Sequence, residues 1–230
     1  MTRFWSVRRN ADAVLAVTLL SAVVAMSILV PLFWPLDPDR GVLSATFRPP
    51  MSVVDGQLHP LGTDQLGRDL LARLGLGTAI SLGIVLLAAV ISVVTGTFLG
   101  MIAGYFGGWI DLVVMRAVDV QLAIPFILLI LLIVAVVGPS IGNLVLVLGV
   151  TGWAVFARVA RARTLEVREL EYVEACRAIG VSDAGIIFRH VLPNIAGPQT
   201  VLLTLDLPRL IILEASVGFL GLGVQPPTPT

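Results

Sequence analysis

Apolar residues run through this chain in long uninterrupted blocks, and its few charged positions gather between them. No charged side chain falls between Arg73 and Asp111, and none between Asp119 and Arg158. About 20 consecutive apolar residues suffice to cross the hydrocarbon core of a bilayer as a helix, and the helix is favoured because it closes its backbone hydrogen bonds internally. Each of those two uncharged stretches exceeds one crossing, so glycine and proline must divide it. The pattern predicts five membrane-spanning helices, at about 12–34, 77–103, 113–137, 141–160 and 199–223. The expected fold class is an all-α membrane protein.

The first polar connector, 35–76, opens with the turn-forming run Pro35-Leu36-Asp37-Pro38-Asp39 and continues through Pro49-Pro50 and His59-Pro60. Within it, Thr63 to Leu74 is predicted as an interfacial amphipathic helix, with Leu66, Leu70, Leu71 and Leu74 on one stripe and Asp and Arg opposite. On the second span Gly83 is followed by Gly96, Gly100 and Gly104 at four-residue spacing. That spacing either lets helix backbones approach closely in lipid or reflects how common glycine is in membrane helices. Tyr105-Phe106-Gly107-Gly108-Trp109 is predicted as a tight turn with aromatics at headgroup depth.

Composition supports the membrane assignment. At 57% hydrophobic and 13% charged, 230 residues lack the polar surface that a soluble domain of this size needs. The formal net charge of zero does not point to nucleic acid. All fifteen basic residues are arginine. Arg3, Arg8 and Arg9 precede the first span, Arg116 lies near the start of the third, and Arg158, Arg161, Arg163, Arg168, Arg177 and Arg189 follow the fourth. The positive-inside rule puts those ends, and with them the N-terminus, in the cytoplasm. The first apolar run is too long for a signal-peptide core and Trp34-Pro35 is a poor cleavage context, so it is expected to stay as an anchor. The single cysteine, Cys176, excludes an internal disulfide framework and a Cys-rich metal site, and fits a small packing residue.

The second polar connector follows the fourth span. Arg161 to Ile179 is rich in helix formers, and Gly180 is expected to end that helix. Ser182 is a suitable N-cap for a short second helix from Asp183 to His190, with Asp183 favourably placed in its first turn and Pro193 as the stop. Ala184, Ile187, Phe188 and Val191 form its apolar stripe. Such a face outside the membrane must bury itself against this protein's own helix ends or in a partner's groove.

The chemistry available to such a chain is narrow. A Walker A loop requires lysine, and none is present, so ATP hydrolysis is expected from a partner and no catalytic residue is assigned. The two histidines, His59 and His190, fall on opposite sides of the membrane in this topology, and no metal site is expected. Asp206, Arg209 and Glu214 lie in the fifth span, and Asp119 and Gln121 in the third just before Pro125. Ionisable groups at such depth are costly unless paired or wetted, so these five either line a pathway or neutralise one another within the bundle. Pro125 is expected to kink its span.

The run Glu174-Ala175-Cys176, three residues, Gly180, nine residues, then His190-Val191-Leu192-Pro193 resembles the EAA motif of ABC importer permeases. With Leu61 to Asp69, Met115 to Asp119, and Glu214 to Pro227, nearly the whole chain is similar to the C-type subunit of the dipeptide/oligopeptide/nickel permease family. Cysteine stands at Cys176 where the motif has its second alanine. The resemblance implies a type I importer transmembrane domain over 77–230, with a cytoplasmic coupling region at about 158–198, preceded by an anchor and loop over 1–76. It implies a heterodimeric pathway with a second permease subunit, two ATPase subunits that bind ATP and magnesium, and an extracytoplasmic substrate-binding protein, in a prokaryotic inner or plasma membrane. No cofactor is expected in this chain. Glu174, Ala175, Cys176, Arg177, Gly180, Ser182, Asp183, Ile187, Phe188 and Pro193 would form the ATPase-coupling surface. The family carries a sixth span after a Pro-rich turn, so a C-terminal truncation is expected. The rival reading is a truncated scaffold that docks an ATPase without completing a pathway.

Overall fold

The computed structural model describes residues 11–230, so the arginines at positions 3, 8 and 9 lie outside the described residues. The chain divides into two compact units, one formed by the residues up to Gly83 together with Pro226–Thr230, the other by Ile84–Gln225.

The first unit begins with helix α1, Ala11–Phe33, whose leucines and valines are largely exposed, as a lipid-facing helix requires. The segment after it folds by its own polar groups. A hairpin pairs β1, Ser52–Val54, with β2, Gln57–His59, in the register Val53 opposite Leu58. Asp55 and Gly56 form its two-residue turn at φ +50° and +76°, the left-handed pair that matches strand twist. This hairpin is an addition to the all-α expectation.

The structure corrects the interfacial helix predicted over Thr63–Leu74. Residues 63–69 form a closed loop, with Thr63 bridged to Asp69, and α2 begins only at Leu70. The cause is local. Asp64 accepts the backbone N–H groups of Leu66 (2.8 Å) and Arg68 (3.0 Å), and Gly67 takes φ +72° with its Cα packed against the carbonyl of Val42. A side chain that captures nearby N–H groups competes directly with a helix. Burial works to raise the Asp64 pKa, but the N–H groups of Arg68 and Leu66 and the Arg68 guanidinium outweigh it and hold the carboxyl below its ordinary range.

Helix α2, Leu70–Phe106, is continuous over 37 residues and extends the predicted second span at both ends. A single residue, Gly107 at φ +66°, joins it to α3, Gly108–Ala123. The kink expected at Pro125 is a 92° bend that divides the predicted span 113–137 between α3 and α4 (Phe126–Val137). Pro125 cannot donate a backbone hydrogen bond and forces Ile124 into an extended conformation, φ −90° and ψ 128°. Helix α5, Ile141–Arg168, is N-capped by Ser140, whose hydroxyl accepts from Asn143 N at 3.1 Å.

Helices α2 and α5 touch through the glycine stripe. A methyl group at Gly96, Gly100 or Gly104 would collide with the backbone carbonyls of Trp153, Ala157 and Arg161 respectively. The close-approach reading of that spacing is therefore the one realised.

The predicted helix from Arg161 to Ile179 is also corrected, because it breaks at Glu169–Leu170 into the end of α5 and a separate α6, Glu171–Ala178. After it come α7, Asp183–Ile186, a π-helical turn over Ile187–Val191, and α8, Leu192–Phe219. Pro193 does not stop the chain. It sits in the first turn of α8, where a missing N–H costs little, and the helical path runs on without a break. Helix α8 covers most of the predicted fifth span, 199–223, but is not among the described helices long and apolar enough to cross a membrane. Helices α1, α2 and α5 are each long and apolar enough to cross a membrane, and α3 with α4 add a fourth if the bent pair counts as one.

Candidate functional site

The chain between α5 and α8 forms a loop with two unlike faces. Its inner face is apolar. Val173 of α6, Ile186 of α7, Ile187 and Val191 of the π turn and Ile195 of α8 close over Met101, Tyr105, Ala160 and Val167 at the ends of α2 and α5. Each fully buried Val or Ile contributes about 2 kcal/mol. This splits the predicted stripe: Ile187 and Val191 are buried, while Ala184 and Phe188 are exposed, Phe188 at 57%. The inward positions, Ile186, Ile187 and Val191, flank and occupy the π turn.

Two polar clamps hold the loop. Arg168 donates to the carbonyls of Gly104 (2.9 Å) and Tyr105 (3.4 Å), where α2 has run out of its own donors. The Tyr105 hydroxyl donates to Asp183 Oδ1 at 2.7 Å, and the Arg177 guanidinium lies 5.1 Å from the Tyr105 ring centre. Gly180, at φ +82°, closes α6: its N–H donates to Arg177 O and Val181 N donates to Cys176 O, both at 3.0 Å. This paired closure needs a left-handed residue at position 180. Ser182 caps α7 by accepting from Gly185 N at 3.3 Å.

The outer face carries Glu174, Ala175 and Arg177, all exposed, together with Phe188, Pro193 and Ile179, the last 80% exposed. Cys176 is half-buried at the edge of the core, with Sγ 3.7 Å from His190 Nε2. Tyr172 stacks at an angle on His190, and Asn194 donates to the Tyr172 hydroxyl at 3.1 Å, tying α6 to α8. Of the predicted residues, the structure brings Arg177 and Asp183 together on Tyr105. Ile187 turns inward, Cys176 sits at the edge of the core, and Glu174, Ala175, Gly180, Ser182, Phe188 and Pro193 are exposed. Sequence reasoning missed Tyr105, Arg168, Tyr172 and Asn194. Nothing local marks them, because each acts across elements far apart in the chain.

Asp119, Gln121, Asp206 and Arg209 each find a partner. Asp119 meets Arg158 at 2.7 Å, and Asp111 takes Arg161 in two bonds of 2.6 and 2.5 Å, so α3 is pinned to α5 twice. Gln121 donates to the Thr151 carbonyl. Asp206 accepts from Arg209 Nε at 2.6 Å, and that guanidinium lies 4.5 Å from the Phe126 ring centre. Glu214 is buried on α8. Among the described residues no group of three metal-ligating side chains comes together.

Residues 96–230 match the family described as binding-protein-dependent transport system inner membrane component. The chain is 34% identical to a dipeptide transport system permease protein of Alkalihalophilus pseudofirmus, over 98% of this chain and 73% of that one. It is 37% identical to a di/tripeptide transport system permease protein of Pseudomonas aeruginosa, over 100% of this chain and 76% of that one. It is 41% identical to a glutathione transport system permease protein of Pectobacterium atrosepticum over 74% of this chain, which spans 57% of that relative. Long apolar helices and these matches make it a bacterial membrane protein. The chain belongs to the binding-protein-dependent inner membrane components, as an ABC importer permease of the dipeptide/oligopeptide/nickel type, C-type subunit.

Proposed function

We propose that this chain forms half of the translocation pathway of an ATP-driven importer for di- and oligopeptides, beside a second, different permease subunit. Two separate ATPase subunits, which bind the ATP and magnesium, dock on the outer face of the 171–193 loop, and an extracytoplasmic binding protein delivers the substrate. The loop and the N-terminus then face the cytoplasm. The observation that carries this reading is the two-faced loop: Ile179 and Phe188 are exposed on one side, while Val173, Ile186 and Val191 are buried against the ends of α2, α5 and α8 on the other. A push on the outer face therefore reaches three long helices as a rigid-body displacement. Peptides are favoured as substrates because the three relatives compared are named for dipeptides, di/tripeptides and glutathione, all short peptides.

The test is ATPase activity of the complex reconstituted in lipid with its partner subunits, with and without peptide-loaded binding protein. Gly180→Val imposes a left-handed φ on a β-branched residue, costing about 1–3 kcal/mol, and opens the turn that sets α6 against α7. The expected result is stimulation in the parent complex and its loss in the variant, with basal hydrolysis retained. Stimulation that survives in the variant would count against coupling through this loop.

A further inference from the structure

Helix α3 carries a cation that the mechanism does not use. Arg116 is exposed and makes no ion pair or hydrogen bond among the described residues. It lines a groove of about 460 Å3 between α3 and α5, together with Leu112, Asp111, Asp119, Arg158 and Arg161. Three guanidinium groups face two carboxylates there, leaving one positive charge. Arg161 is spent on Asp111 in two bonds. Arg158 gives only one nitrogen to Asp119, and both side chains are more than half exposed, at 53% and 56%. The groove thus offers the free donors of Arg116 and part of Arg158 to a single negative charge.

Beside the charged groove, the helix face of Arg116 also carries apolar side chains. Trp109, Leu112, Val113 and Val120 lie seven, four and three residues before it and four after it, the spacing of one helix face, and all four are exposed. α3, at 16 residues about 24 Å long, is too short to cross a bilayer by itself and turns through 92° into α4. A free anion would satisfy Arg116 and leave this stripe bare. A molecule with one anionic phosphate and two acyl chains satisfies both, and basic pockets between membrane helices recognise lipid headgroups in this way.

We propose that the α3–α5 groove binds the headgroup phosphate of an anionic phospholipid, with Arg116 as its principal donor and the Trp109–Val120 stripe along the acyl chains. Through the Arg158–Asp119 and Arg161–Asp111 pairs, such a lipid buttresses the end of α5 that leads into the 171–193 loop. This inference requires only that the chain lies in a membrane.

The permease complex, purified with its partner subunits in detergent, is examined by native mass spectrometry after addition of phosphatidylglycerol, phosphatidylcholine or inorganic phosphate. The expected result is retention of phosphatidylglycerol over phosphatidylcholine by about fivefold, abolished in Arg116→Gln, kept in Arg116→Lys and unaffected in Arg163→Gln. Equal retention by the parent and Arg116→Gln overturns the proposal. Displacement of the lipid by an equal concentration of inorganic phosphate marks a free-anion site and also overturns it. Loss of the second permease from Arg116→Gln with lipid retention unchanged identifies the face as a protein interface and does the same. Photoactivatable phosphatidylglycerol added to the parent complex gives a reading independent of any variant: label within 109–120 is expected, and label confined to other segments refutes the site.

Discussion

The two polar connectors of this chain have similar raw material and opposite construction. Residues 34–69 are organised around three buried polar side chains, His59, Thr63 and Asp69. Asp69, only 2% exposed, accepts from Trp34 Nε1 (3.1 Å) and from Ala72 N (2.8 Å), and its other oxygen lies 2.8 Å from His59 Nδ1. Thr63 accepts from Arg48 N and donates to Ala45 O. The 169–191 connector turns its apolar groups inward and leaves charge and large apolar side chains, Glu174, Arg177, Ile179 and Phe188, facing out. The first connector is fixed by a hydrogen-bonded hub around Asp69 and Thr63 while Leu43, Phe47, Met51 and Val53 stay exposed on it. The second is fixed by an apolar inner face, so the two differ in what anchors them and not in whether they expose apolar side chains.

Breaking the first connector at its hub should give the largest effect. Asp69→Ala removes the cap of α2 and leaves the buried His59 and the half-buried Trp34 donor without their partner, a loss of about 3 kcal/mol. Thermal unfolding in detergent with limited proteolysis should show a lower midpoint and new cleavage within 34–69, and a stability equal to the parent would sink the idea of a self-locked connector. The matching change in the second connector is milder. Tyr105→Phe deletes the bond to Asp183 at a cost of about 1 kcal/mol, because Asp183 is exposed and partly solvated. Amide exchange should quicken in α7 while the 34–69 amides are unchanged; equal protection in both proteins would mean that Tyr105 does not clamp the loop.

The smallest effect is the pH response of Asp64. Its carboxyl is held below the ordinary range in the folded chain, so its contribution is fully present above the ordinary carboxylate pKa and is lost as pH falls through the depressed folded value. Amide exchange at Leu66 and Arg68, corrected for intrinsic rate, should lose protection on acidification in the parent, and Asp64→Asn should flatten that dependence. A pH-dependent loss that persists in the variant would assign it to another group.

What the residues determined by themselves was everything that depends on local composition and period. The apolar blocks specify helices, because a backbone in hydrocarbon has to close its own hydrogen bonds. Gly180 and Ser182 end and restart them as read, because left-handed φ and N-capping are properties of single residues. The hairpin turn at Asp55-Gly56 is equally local, since an Asp-Gly pair adopts the two left-handed φ values that such a turn needs. Tertiary structure decided the rest. The sequence left open whether Gly96, Gly100 and Gly104 pack or merely occur, and the answer lies in the carbonyls of α5. Which side of the 183–191 segment faces in depended on packing against Met101, Tyr105 and Val167, residues distant in the chain. Asp119 and Asp111 found Arg158 and Arg161 only because α3 crosses α5, and no local pattern announces a pairing between groups so far apart in the chain. Local rules act over a turn or two of helix, whereas the fold of the 169–191 loop is defined by what lies beneath it.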